Sequence, residues 1–418
     1  MRFVPSRVGR APAAPRTPLS REVIVLGVIA FFVMVGFGVV IPVLPVYVRS
    51  FGATHVQIGA VLAAFALMRL VTSPFCGRLI DWGGERKILA LGIGIVALSS
   101  GLVGIAQNYP QLLILRGVGG IGSAMFTVSA MTLLLGSTAP NIRARSIGFY
   151  QGGFLLGGMA GPAIGGLLAT ISLTAPFFFY AGTLAVAGMI GLVLLKPSAH
   201  LDLVTPAVPV IRPPFAQVLR DNRFRAACVA NFAQGWTSFG VRGALVPVLV
   251  VEVLHDPSSF TGLAFAAAAV AQTIALAPAS KFIDTVGRKP AMIGSLAVAA
   301  AVILAVPFAP NIGILAALLS VYGVASAFMG TAPAAVVGDV AGPGGGRPVA
   351  VFSMFSDAGA IVGPLVAGLL VDTVSFPAAF AVGAALFAIS TIFSLRMQGS
   401  RPQSAVLVKG PSESLLDS

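Results

Sequence analysis

Apolar runs long enough to cross a bilayer recur along the whole chain, and no other feature restricts its fold so strongly. A spanning helix needs about 20 predominantly apolar residues. Twelve such runs fit, at 23–48, 55–76, 88–107, 111–134, 146–170, 175–195, 226–251, 260–280, 290–309, 313–337, 349–371 and 377–396. Inside lipid only helices and closed barrels satisfy the backbone, and runs of this length without strict alternation are helices. Twelve spans call for roughly 240 apolar positions; of the 418 residues, 57% are hydrophobic and only 9% are charged. A soluble domain averages about 25% charged residues, so that class is excluded. The expected fold is an all-α membrane protein with twelve transmembrane helices.

The first 21 residues are rich in Arg and Pro and could pass as the basic region of a signal peptide. The run that follows, 23–48, is too long for a signal core, so it reads as a retained first helix. Most connections are short. The stretch 196–225 is longer, with several prolines and most of the mid-chain charge, which is the composition of a linker. The expected organisation is an N-terminal tail (1–22), a six-helix bundle (23–196), a linker (197–225), a second six-helix bundle (226–396) and a C-terminal tail (397–418). Of the 26 Lys and Arg residues, only Arg69, Arg116 and Arg242 fall inside spans and only Arg49 falls on the side opposite the termini. Basic loops stay in the cytoplasm, so both termini are expected there, in a cell (inner) membrane. The formal charge of +13 is thus a topology signal, and no nucleic-acid partner is expected.

Two cysteines, Cys76 and Cys228, cannot build a disulfide framework, and His55, His200 and His255 are too scattered to suggest a metal site. Neither a cofactor nor a P-loop is apparent, so energy is expected from a gradient.

The two halves repeat each other. Asp81 and Asp284 each follow the second run of their half, and Gly157, Gly161, Pro162 and Gly166 recur 202 residues later as Gly359, Gly363, Pro364 and Gly368. Arg145 recurs as Arg347 at the same offset. A shared Gly-Pro step among five matches at one offset marks an internal duplication. Two like-oriented six-helix repeats are a transporter architecture, with the site near the bilayer midplane between them.

The segment Gly77-Arg78-Leu79-Ile80-Asp81-Trp82-Gly83-Gly84-Glu85-Arg86-Lys87 resembles the loop signature G-x-L-x-D-[RK]-x-G-[RK]-[RK] of the major facilitator superfamily. It keeps Gly77, Leu79, Asp81, Gly84 and Arg86 and departs at Trp82 and Glu85; a second copy at 280–290 keeps Asp284, Gly287, Arg288 and Lys289. The resemblance covers 23–396. It implies two pseudo-symmetric six-helix bundles that rock about a central cavity. It also implies that Asp81 and Asp284 are cytoplasmic latches, the carboxylate resting on the positive N-terminal end of the eleventh helix, near Pro348, in the outward-open state. Such a contact is worth about 0.3–1 kcal/mol, or ~2 kcal/mol when partly buried.

Residues 157–166 resemble the G-x-x-x-G-P-x-x-G-G signature associated with antiporter members of that superfamily. Gly153, Gly157, Gly161 and Gly165 make a stripe without Cβ atoms along one helix face, which lets another helix approach closely. With Pro162 and the counterparts Gly359, Gly363 and Pro364, this stripe is expected to be a sliding gate. The step Arg116-Gly117-Val118-Gly119-Gly120 resembles the family's weaker R-x-x-x-G motif.

Four charges lie inside the spans. An Arg there costs at least ~2.5 kcal/mol on insertion scales. Arg116 either snorkels outward or faces the cavity, and Arg242 falls near the midplane. Arg69, about 12 Å from the inner face, and Asp357, about 13 Å from it, match in depth. In the resembling fold their helices are neighbours, so an ion pair across the gate is expected. The rival role for Asp357 is a proton carrier. Three Arg against one Asp favour neutral or acidic amphiphiles as cargo.

The reading is a secondary transporter, acting as a monomer in the lipid bilayer, that exports drugs or amphiphilic small molecules in exchange for protons. Uptake by symport or facilitated diffusion is the alternative within transport. A membrane-embedded enzyme would need a nucleophile and base, or paired carboxylates at one depth, and the depth of the spans offers a single Asp and no His; a sensor would need an output domain.

Overall fold

The computed structural model describes residues 19–138, 142–195, 214–341 and 346–397. The expected tails, apart from their first or last few residues, and most of the expected linker lie outside the described residues. The first half contains α1 (Arg21–Val40, broken at 41–43 and resumed as Leu44–Arg49), α2 (His55–Gly83), α3 (Glu85–Val103), α4 (Tyr109–Gly136), α5 (Arg143–Ile171) and α6 (Ala175–Leu194). The second half opens with α7, which runs through Asn222–Gly235, a π-helical stretch Trp236–Leu245, and Val246–Glu252. It continues with α8 (Ser259–Thr285), α9 (Arg288–Ala305), α10 (Ile312–Ala341), α11 (Gly346–Thr373) and α12 (Phe376–Leu395). Eleven of these are individually long and apolar enough to cross a membrane, and α7 reaches that length through its three segments.

Local chemistry sets the helix ends. Thr54 and Gln57 form a reciprocal capping box at the start of α2, and Asn108 and Ser375 cap α4 and α12 by accepting from backbone N–H groups three residues on. Gly84 and Gly287 make the tight turns into α3 and α9 at φ +78° and +118°, a region side chains with a Cβ avoid. That is the local reason both copies of the signature carry glycine there. Helix outlasts hydropathy at the same two places. Asp81 and Asp284 sit on the last turns of α2 and α8 rather than in loops, because a helix emerging from lipid keeps its hydrogen bonds while its side chains turn polar.

Each half is knitted by glycine. A Cβ on Gly161 would lie 2.7 Å from Gly38 Cα, and one on Gly157 2.5 Å from Phe31 O, so the α5 stripe packs on α1 of its own half. The same seam recurs between α11 and α7, where a Cβ on Gly363 would lie 2.8 Å from Trp236 Cα. The stripe therefore binds a bundle together instead of sliding between bundles. Contacts between the halves run along α2 with α11 and α5 with α8. These two seams are one contact made twice: a Cβ on Gly59 would lie 2.5 Å from Pro364 C, and one on Gly262 2.5 Å from Pro162 O. Large apolar side chains such as Leu98, Ile114, Val193 and Ile274 are two-thirds exposed or more, the surface expected of a protein whose outer solvent is lipid.

Arg78, Arg86, Lys87, Arg288, Lys289 and Arg396 gather at one end of the bundle, the basic face. The glycine seams between the halves lie toward the other end, the far face. Toward the basic face a Cβ on Gly77 meets nothing within 4 Å, and Val71, Phe75, Met354 and Phe355 on α2 and α11 are exposed. The chain is thus in a state sealed at the far face.

Candidate functional site

A cavity of about 370 Å³ lies between the halves, walled by α1, α2, α4, α5, α6, α7 and α11. Its wall is mostly apolar, with Phe37, Phe65 and Phe239 among the lining side chains; Arg69, Arg116 and Arg242 supply its charge.

Arg116 does not snorkel. It is only 7% exposed, its guanidinium carbon sits 4.6 Å from the centroid of the Phe65 ring, and its buried Nε has no hydrogen-bond partner. A desolvated cation on an aromatic face gains ~2 kcal/mol or more, which offsets much of its insertion cost. Arg242 sits in the π-helical stretch of α7, 5.5 Å from Phe265 and 5.8 Å from Tyr322, and its buried Nε is also without a partner. The widened turn belongs with Gly240 and Gly243, whose missing side chains let the backbone lie against Gly363 and Ser238. Among the described residues neither arginine forms an ion pair.

Arg69 and Asp357 meet, Nη2 to Oδ1, at 2.8 Å. The bridge joins α2 to α11 and remains about one-third exposed, so it is hydrated enough to break. Asp81 and Asp284 are exposed and carry no ion pair among the described residues. A carboxylate on the last turn opposes its own helix dipole, so Asp81 is left wanting a positive partner in this state. Arg86 donates to the carbonyl of Leu192, and Arg288 pairs with Asp339 at the end of α10. Both contacts stay within one half. Of the other expected positions, Gly166 and Pro162 face α8 across the seam, whereas Gly153, Gly157, Gly161 and Gly165 face α1.

At the far face a second charged group joins the halves, and the sequence reading passed over it. Arg49 Nε donates to Glu252 Oε1 at 2.6 Å; His55 places Nε2 3.0 Å from Glu252 Oε2 and Nδ1 2.7 Å from Asp372 Oδ1. Asp372 also accepts the backbone N–H groups of His55 (3.0 Å) and Val56 (2.8 Å), so it closes the first turn of α2 from the opposite half. The side-chain partners are 197 to 317 positions apart, which is why loop-by-loop counting saw only scattered charges.

Comparison with known proteins bears on this architecture at two levels. The chain is 32% identical to quinolone resistance protein NorA of Staphylococcus aureus over 177 residues, 42% of this chain and 45% of that protein. It is 28% identical to multidrug resistance protein 2 of Bacillus subtilis over 172 residues, 41% and 43% of the two chains. Each match therefore spans under half the length of the curated relative. Among solved structures, the inward-facing, unoccupied form of a bacterial homolog to the human lysosomal transporter Spinster superposes with a TM-score of 0.69 at 16% identity, covering 90% of this chain and 94% of that one. The sequence model of the Major Facilitator Superfamily matches residues 26–255 and again 227–414. With the family matched on each half, and the halves already seen to be one bundle built twice around a shared cavity, the chain belongs to the Major Facilitator Superfamily, a multi-pass membrane transporter and not an enzyme.

Proposed function

We propose that the chain exports amphiphilic compounds bearing an acidic group across the cytoplasmic membrane, by alternating access and in exchange for protons. The observation that carries this reading is the pair Arg116 and Arg242, buried in the cavity wall, seated on aromatic rings and unmatched by any described carboxylate. An anionic head group accepts from guanidinium N–H groups, and the phenylalanines take its apolar body. A permanently cationic compound meets a wall of its own sign. The drug-resistance names of the two bacterial relatives support export as the direction. Basic loops support a cytoplasmic basic face, both termini inside, and 23–196 and 226–396 as the moving bodies. One chain supplies both walls of the cavity, which supports a monomer. The test is reconstituted vesicles with an imposed pH gradient and matched anionic and cationic substrates. Transport of the anion with proton counterflow is expected; preference for the cation would sink the reading.

In this scheme Arg69 and Asp357 form the inner tie between bundles. Arg69→Asp and Asp357→Arg alone each abolish transport, and the double exchange restores a measurable fraction of it. No recovery in the double variant removes the tie.

Asp81 acts in the opposite state, where the basic face closes and the carboxylate meets the start of α11. Asp81→Asn leaves assembly intact and moves the resting population toward the far-face-sealed state by up to about tenfold. Labelling of a far-face cysteine reads that shift, and unchanged labelling excludes the latch role.

A further inference from the structure

We propose that the far face contains a proton-binding site, built from His55, Glu252 and Asp372, whose occupation fastens the two halves together on that side. His55 begins α2 in the first half, while Glu252 and Asp372 end α7 and α11 in the second. Both ring nitrogens face carboxylate oxygens, at 2.7 and 3.0 Å. A neutral imidazole has one N–H and must turn a lone pair on one of those oxygens; an imidazolium donates to both. Each carboxylate already has other donors. Asp372 holds two backbone N–H groups of α2 and Glu252 holds Arg49. A second ring proton gives both oxygens an N–H to accept. With it, Arg49, His55, Glu252 and Asp372 sum to zero; without it the group carries one uncompensated negative charge.

Among the described residues, Glu252 and Asp372 are the titratable groups on the ring nitrogens. The His55 side chain is 10% exposed. From α1 it is approached through Arg49 on Glu252, from α7 by Glu252, from α11 by Asp372, and from α12 by the edge of Phe376 at 5.4 Å. The sister seam shows that sealing alone needs no charge. There Ser258 and Thr170 stand at the repeat positions of His55 and Asp372. A Cβ on Gly166 would meet Ser259 O at 2.6 Å, as one on Gly368 would meet His55 C at 2.6 Å. What the charged cluster adds to the packing is a dependence on the proton.

Since the fastened state holds a proton that the parted state releases to water, acid favours closure and alkali favours parting. One linked proton changes the ratio by at most about tenfold per pH unit. Under the orientation proposed above, external acid closes the outer end, the step an exporter driven by inward proton flow needs after releasing its cargo. The site itself involves no cargo, so its test uses neither substrate nor gradient.

Spin labels at Gln107→Cys and Pro310→Cys, in a chain with Cys76→Ala and Cys228→Ala, report the far-face separation of the halves in lipid nanodiscs. The ratio of short to long distances is expected to fall at least tenfold between about pH 5.5 and about pH 8.5, the range in which histidine titrates. His55→Gln, with one donor and one acceptor, loses that response. So does Asp372→Asn, which takes away the carboxylate facing Nδ1 and covers the case in which His55→Gln does not assemble. A parent ratio that ignores pH, or either variant titrating like the parent, overturns the proposal.

Discussion

Arg116→Gln and Arg242→Gln each lower vesicle transport of an anionic substrate by about 10- to 100-fold while leaving a neutral analogue within a few-fold of the parent. The magnitude comes from the chemistry of the cavity. A hydrogen bond to a charged group contributes about 1.5–3 kcal/mol, and 1.4 kcal/mol is a factor of ten. Among the described residues neither arginine has an ion-pair partner, so no described carboxylate competes with the anion. Lysine does not substitute at Arg242: it keeps the charge but loses the planar face that lies near Phe265 and Tyr322. Equal losses for anionic and neutral substrates would mean that the arginines hold the cavity together rather than read its cargo.

Gly262→Ala abolishes transport without reducing the yield of assembled protein, whereas Gly161→Ala reduces the yield itself. Both substitutions place a Cβ against backbone, at 2.5 Å from Pro162 O for Gly262 and 2.6 Å from Val35 O for Gly161. Overpacking of this kind costs about 1–3 kcal/mol. The difference lies in which contact is charged with it. The Gly262 seam joins α8 to α5 across the halves; under the alternating access proposed above it parts in the opposite state, so the strain appears as a population shift of about 10- to 100-fold toward that state. The Gly161 seam joins α5 to α1 within one bundle; under the same proposal it moves as one body, so the strain appears as lost stability. Size-exclusion yield and far-face cysteine accessibility, measured side by side, separate the two. Equal loss of yield in both variants would show that the α5–α8 contact does not open.

Much of this was legible in the sequence because lipid imposes its own periodicity. Long apolar runs locate the spans, the internal repeat locates the cavity, and matched depth brings Arg69 to Asp357 through the fold the signature resembles. What stayed hidden needed a partner to be known. Glycines spaced by four reveal that a face is smooth but not what lies on it, and the face of α5 lies on α1. The π-helical turn that carries Arg242 leaves no mark in Trp236-Thr237-Ser238-Phe239-Gly240-Val241-Arg242, since hydropathy is blind to a hydrogen-bond register. His55, Glu252 and Asp372 are ordinary ends of three separate spans until tertiary packing brings both carboxylates within 3.0 Å of the imidazole.

The Arg49–Glu252 bridge joins residues 203 positions apart, the same spacing that separates Asp81 from Asp284. Arg49 is thus touching its own counterpart in the duplicated half, which places the bridge on the pseudo-twofold axis relating the bundles. On such an axis two identical halves would set like against like, Arg on Arg or Glu on Glu, and the far face would be pushed apart. Opposite signs at that point require two halves whose sequences have diverged. The fastening therefore depends on broken symmetry, and a dimer of either half alone could not make it.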